Sequence, residues 1–269
     1  GDGVFQRGEE GAQLSSFGGS ITSVDPDLKQ PHTDEFSAGV ELEAPGNIRV
    51  SGTYIHRQAR DLLAITEVGI PFDTGYVPVP AIDTVTGQTV TLFNQRPETL
   101  GNDRLLLTNP SDFETEFDGF EISAQRRFAD GYQFLTSYAY STSDMTRTSI
   151  SVRAFSGEEE GAGGIGFGTS AFTNPNQRIN NTSGPGFFDR THTFKVGGSY
   201  DVRRLGVTVA ATAKVQTGTP YARILTLEED ASGTPFNQGP ITFFAEPRDA
   251  NRFPRLKTMD LRISKFFNV

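Results

Sequence analysis

Two-residue alternation runs through seven segments of this chain, and the connections between them alternate in length just as strictly. Thr33 to Glu43 sets Phe36, Ala38, Val40 and Leu42 against Glu35, Ser37, Gly39 and Glu41. Ile48 to Arg57 sets Ile48, Val50, Gly52 and Tyr54 against Arg49, Ser51 and Thr53. Gly119 to Phe128 sets Phe120, Ile122 and Ala124 against Glu121, Ser123, Gln125 and Arg127. Tyr132 to Thr142 stacks Tyr132, Phe134, Tyr138 and Tyr140 on one parity. The stretch GPGFFDRTHTFKVGGSYDV, residues 184–202, enters a fifth segment with Phe194, Val196, Gly198 and Tyr200 opposite Thr193, Lys195, Gly197 and Ser199. Val207 to Gln216 and Lys257 to Phe267 complete the set, the latter with Met259, Leu261, Ile263 and Phe267 against Asp260, Arg262 and Ser264. Successive side chains of a strand point to opposite faces, so each segment is predicted as a β-strand with one apolar and one polar face.

Tight turns follow the first, third and fifth segments: Ala44-Pro45-Gly46-Asn47, Asp130-Gly131 and Arg203-Arg204-Leu205-Gly206. Asp-Gly is a strong two-residue hairpin signal, because both positions tolerate positive φ. Long connections, roughly 60–112, 144–188 and 218–254, separate the pairs, and residues 1–32 lead into the first strand. In an antiparallel meander this order places every tight turn at one end and every long loop at the other. The predicted fold is therefore all-β, an up-and-down meander of about seven or eight long strands forming part of a transmembrane β-barrel. The eighth arises if Thr89 to Phe93 extends neighbouring strands into a hairpin. A β-sandwich also alternates polar and apolar positions, but structureless loops beyond about 12–15 residues are uncommon in compact domains.

Cost assigns the two faces. A Lys or Arg directed into lipid at mid-membrane costs about 2–4 kcal/mol. The lumen-lining candidates are therefore Glu121, Gln125, Arg127, Lys195, Lys214, Gln216 and Arg262. The lipid-facing candidates are Phe120, Ile122, Phe134, Tyr138, Phe194, Val196, Tyr200, Val207, Val209, Leu261 and Ile263. Lys265 breaks the pattern near a strand end, where its stem can snorkel to the interface.

Composition narrows the function. There is no run of about 18 apolar residues, so no transmembrane helix is expected, whereas barrel strands need only about 9–11 residues. A net charge of −9 with no basic stretch argues against a nucleic-acid partner. Cysteine is absent, which removes disulfides, thiolate metal sites and a cysteine nucleophile. Tryptophan is absent too, leaving Tyr and Phe to form any interfacial girdle.

Five blocks carry a family likeness: DPDLKQPHTDEFSAGVE (25–41), DGFEISAQRRFADGYQFLTSYAYSTS (118–143), FFDRTHTFKVGGSYDV (187–202), QTGTPYARI (216–224) and RFPRLKTMDLRISKFF (252–267). In this order they resemble the C-terminal barrel region of TonB-dependent outer-membrane receptors, above all the Oar-like group carrying a carboxypeptidase-regulatory-like domain. The resemblance implies a Gram-negative outer-membrane location, a barrel of about 22 strands, an N-terminal plug and a contact with the TonB energy-transducing complex. It makes this chain a fragment, a single piece of barrel spanning 1–269, whose partners are outer-membrane lipid, the plug and the remaining strands. Energised import of a scarce bulky ligand (a siderophore, oligosaccharide or peptide) is the implied function. A passive porin-like channel and a soluble β-sandwich binding or adhesion module are the alternatives.

No catalytic, cofactor or metal residue is expected. GAGGIG (161–166) matches a dinucleotide-binding pattern but follows Glu158-Glu159-Glu160 rather than a strand. His32, His56 and His192 lie on three separate segments without ligand spacing, and no serine sits in a G-x-S-x-G elbow. Asp189, Arg190 and His192 read as the polar mouth of a strand. Ligand specificity is expected in the long loops, where Phe72, Tyr76, Phe167, Phe172 and Phe236 interleave with Gly and Asn.

Overall fold

Seven long strands lie side by side in chain order in the computed structural model, which describes residues 21–146, 170–186, 189–265 and 267. They are β1 (His32–Ala44), β2 (Ile48–Arg60), β3 (Thr115–Ala129), β4 (Tyr132–Met145), β5 (His192–Val202), β6 (Val207–Gln216) and β7 (Leu256–Lys265). Every pairing among them is antiparallel. The sheet is an open meander, with β1 and β7 as its edges. β2, β3 and β4 run several residues further at the loop end than the alternation alone marks.

The tight turns set the register. Gly46 and Asn47 take φ of 84° and 59°, and Asp130 and Gly131 take 54° and 91°, left-handed values that match the turn to the twist of its strands. Register then carries the period-two pattern across the wall. Tyr54 lies opposite Phe120, which lies opposite Tyr140. Ile122, Tyr138, Phe194 and Val215 form a second row. Tyr132, Tyr200, Val209 and Ile263 form another. A one-residue slip anywhere would exchange the faces.

Nothing in the local sequence marks Arg126 as a special position. It shares the apolar parity of Phe120 and Ile122, yet it is only 5% exposed. Its Nε donates to the Gly46 carbonyl at 2.9 Å, and its Nη1 donates to the Ala129 and Tyr132 carbonyls at 2.6 and 2.9 Å. Its Nη2 meets Asp130 at 2.7 Å, and the guanidinium stacks 3.8 Å over the Tyr132 ring. One cation thus binds two neighbouring turns together. The same spot carries a register shift between Arg126 and Ala129.

The first and third long connections are not irregular, which corrects the sequence expectation for them. Residues 60–112 contain the strands Ala64–Glu67, Tyr76–Ile82, Thr89–Gln95 and Leu105–Thr108. Thr89–Gln95 does make a hairpin, with Tyr76–Ile82, but it stays out of the wall sheet. Ile224–Leu227 pairs with Ile241–Phe244 in the third loop.

The buried core lies in these loops. One cluster joins Ala81 and Leu92 of the first loop to Leu227, Phe236, Ile241 and Phe243 of the third. A second joins Ala64, Phe113, Met145 and Phe172. The apolar face of the wall packs on no second sheet among the described residues, so the sandwich alternative fails.

Candidate functional site

Two surfaces carry the functional potential: the two-faced wall and the cap built by the loops. On the wall, all the lipid-facing candidates named from sequence share one face. Phe120, Ile122, Tyr138, Phe194, Val196, Tyr200, Leu261 and Ile263 are well exposed, from 36% to 67%, while Phe134, Val207 and Val209 are half-buried. An open, almost wholly apolar groove on this face is lined by Tyr132, Phe134, Gly198, Tyr200, Ala211 and Met259. Apolar surface on this scale is not left in water by a stable soluble fold.

Aromatic rings collect at both ends of this face. Tyr54, Phe120, Tyr140 and His192 lie toward the loops, and Tyr132 and Tyr200 face each other near the turns. From Tyr132 to Tyr140 is the length of about 9 residues that a tilted strand needs to cross a bilayer. Tyr138 Oη and His192 Nδ1 are 2.8 Å apart. His192 therefore sits within the aromatic belt, as a partner of tyrosine. On β7, Lys257 and Lys265 share the apolar parity at opposite ends of the strand, flanking Met259, Leu261 and Ile263.

On the other face stand Glu121, Gln125, Lys195, Lys214, Gln216 and Arg262. Gln216 is buried at the loop end. Arg127 falls within the register shift and has no residue paired across from it, so it lies outside the regular rows. Leu135, 54% exposed, is an apolar exception on this face. Arg49 pairs with Glu41 at 3.3 Å, and Arg57 donates to Glu35 at 2.9 Å. Ser51 and Ser123 share a 2.7 Å hydrogen bond.

At the loop end of the apolar face the register brings His56, Glu116 and Asp118 together. Asp118 accepts a 2.6 Å hydrogen bond from Tyr54 Oη and lies 3.1 Å from His56 Nδ1. Spacing in the sequence cannot reveal such a group, because its members come from two strands. Its carboxylate is already engaged by Tyr54 and His56, which gives the polar ends of the girdle their partners.

Polar contacts lock the cap. Arg223 grips Asp83 with two hydrogen bonds of 3.0 and 2.8 Å, and Val85 N and Thr86 N also donate to Asp83 at 2.8 and 3.1 Å. The guanidinium holds the Asp83 carboxyl well below the usual carboxylate range. Fully buried Asn176 mimics a strand partner: Phe93 N donates to its Oδ1 at 2.8 Å, and its Nδ2 donates to Phe93 O at 2.9 Å. Asn237 and Gln238 do the same for Gln95 across the first and third loops. Burial pushes the Tyr76 hydroxyl up to about 12 and brings the Arg248 guanidinium down to about 10.

These contacts correct the expectation for the loop aromatics. Tyr76, Phe172 and Phe236 are 6%, 2% and 4% exposed, so they hold the cap together rather than offering a ligand surface. Only Phe72 among the described ones is open to solvent, at 50%. Phe167, the GAGGIG stretch and Glu158–Glu160 lie outside the described residues. Asp189 is buried and paired with Arg252 at 2.6 Å, which fits a strand mouth.

No curated protein matches the sequence. Among solved structures, the outer membrane transporter YddB from Escherichia coli is similar at 14% identity and a TM-score of 0.44. The similarity covers 88% of this chain and 26% of that one, so the chain spans about a quarter of the transporter's length. A family model described as an outer membrane beta barrel domain matches residues 3–238. With an antiparallel wall, an exposed apolar face and all its long loops at one end, the chain belongs to the outer membrane beta barrel domain family, and the outer membrane is where it resides.

Proposed function

We propose that this chain forms part of the wall and external cap of an outer-membrane transporter, a TonB-dependent receptor of the Oar-like kind that imports a scarce bulky ligand without bond chemistry. The observation that carries the proposal is the wall itself: an exposed apolar face, a polar reverse face and two unpaired edges. On this reading Phe120, Val196, Tyr200 and Leu261 meet acyl chains. Lys195, Lys214, Glu121 and Arg262 line a lumen, and the connections within 60–112, 144–188 and 218–254 face the exterior.

Strand direction supports completion by further, different strands. In a seven-strand meander both edge strands, β1 and β7, run the same way. Joining β7 of one copy to β1 of another would make a parallel seam, which an all-antiparallel barrel does not contain. Lipid leaves no backbone group unpaired, so the remainder must supply an odd number of strands, giving the even total of bacterial barrels. That requirement fits a larger barrel of which this is one arc.

Planar-bilayer recording of the full-length protein tests the receptor reading. A plugged receptor stays closed until urea loosens its interior, whereas steady stepwise conductance without denaturant would sink the reading in favour of a passive channel.

A further inference from the structure

On the polar face of the wall, two cations stand side by side at one place. Lys195 on β5 stands directly opposite Lys214 on β6. Residues so placed have their Cβ atoms about 4.5–5.5 Å apart, and like charges directly opposite are destabilising. Neither lysine forms an ion pair among the described residues. Asp260, one row nearer the turns on β7, accepts a hydrogen bond from Thr212 at 3.3 Å instead. The contrast with Arg49–Glu41 and Arg57–Glu35 on the same face is direct.

The pair's direct cross-strand neighbours are both hydroxyls. Ser137 lies opposite Lys195 on its far side, and Thr258 lies opposite Lys214 on its far side. One row therefore reads Ser137, Lys195, Lys214, Thr258: two ammonium groups flanked by two hydroxyl donors, with no acceptor of negative charge among them. An ammonium has three donors and no acceptor. An oxyanion bridging the two nitrogens would remove their repulsion and gain charge-assisted hydrogen bonds.

We infer that the Lys195–Lys214 pair is a binding site for an oxyanionic group, carboxylate or phosphate, carried by a solute that passes along the inner wall. This rests on the reading that the polar face lines a lumen. It narrows the transported class to ligands bearing such a group.

This chain contributes five lysines, Lys29, Lys195, Lys214, Lys257 and Lys265, and the signals of interest are picked out of the full-length protein by single-site variants. The full-length protein in detergent is reductively dimethylated with 13C, which keeps the positive charge, and the two signals are assigned by their loss in Lys195→Arg and Lys214→Arg. Inorganic phosphate is then titrated at constant ionic strength. The expected result is a saturable shift of both signals while those of Lys257 and Lys265 stay put, with apparent affinity at least tenfold weaker when either pair member is changed to Gln. Signals that ignore phosphate, or that move in step with every other lysine, overturn the site. A water-soluble gadolinium chelate, applied to the same sample, separates this failure from failure of the lumen reading. Pair signals relaxed by the chelate but blind to phosphate refute the anion site alone. Pair signals relaxed only by a lipid-soluble nitroxide refute the lumen assignment as well.

Discussion

Phe243→Ala tests whether the loops form a cap with its own cooperative core. Phe243 is 1% exposed and packs in a cluster that draws Ala81 and Leu92 from the first loop and Leu227, Phe236 and Ile241 from the third. Truncating a fully buried Phe to Ala costs about 3–5 kcal/mol, from lost transfer energy and the cavity left behind. Each 1.4 kcal/mol is a factor of ten in an equilibrium, so the open state of the cap should become roughly 100- to 4,000-fold more populated. Hydrogen exchange of the full-length protein in micelles reads this directly. Amides of 76–95 and 224–244 should exchange faster together by that factor, because the residue removed is shared by both. Amides of the wall, such as those of β5 and β6, should keep their protection. Faster exchange confined to 224–244 would refute the shared core, and equal loss across the wall would refute a cap that opens separately from it.

Two smaller perturbations probe the wall and the latch. A Cβ at Gly198 would lie 2.7 Å from the Gln133 carbonyl oxygen, whereas one at Gly52 meets only Val40 Cγ1 at 3.9 Å; Gly198→Val should lower the folded fraction seen as heat-modifiable gel mobility, with Gly52→Ala nearly unaffected. The depressed pKa of Asp83 means that its pairing with Arg223 contributes fully above the unfolded value of 3.8 and is lost only as pH falls through the lower folded value. Asp83→Asn should thus weaken cap protection at neutral pH yet flatten its acid dependence below about pH 4, measured by exchange at stepped pH; an unchanged acid profile would remove Asp83 from the latch.

The wall was legible because its determinants are local. Alternation assigns Phe194, Val196 and Tyr200 to one face within a single strand, and Asp130-Gly131 announces its own hairpin. Once turns and parity are known, register follows, and with it the rows that place Tyr132 beside Tyr200. The chain by itself therefore determined the class of fold, the two faces and the end at which the loops gather.

Tertiary structure decided what depends on pairings between distant residues. Arg223 and Asp83 are 140 positions apart, and nothing periodic links them. Tyr76, Phe172 and Phe236 look like exposed loop aromatics in sequence, since a loop's apolar residues carry no signature of what will cover them. The role of Arg126 exists only once two turns close around it, and His56 meets Asp118 only because β2 and β3 pair in one register. The facing lysines belong to both levels. Their parity is written in each strand, but their apposition exists only because the turn at Arg203–Gly206 sets Lys195 directly across from Lys214.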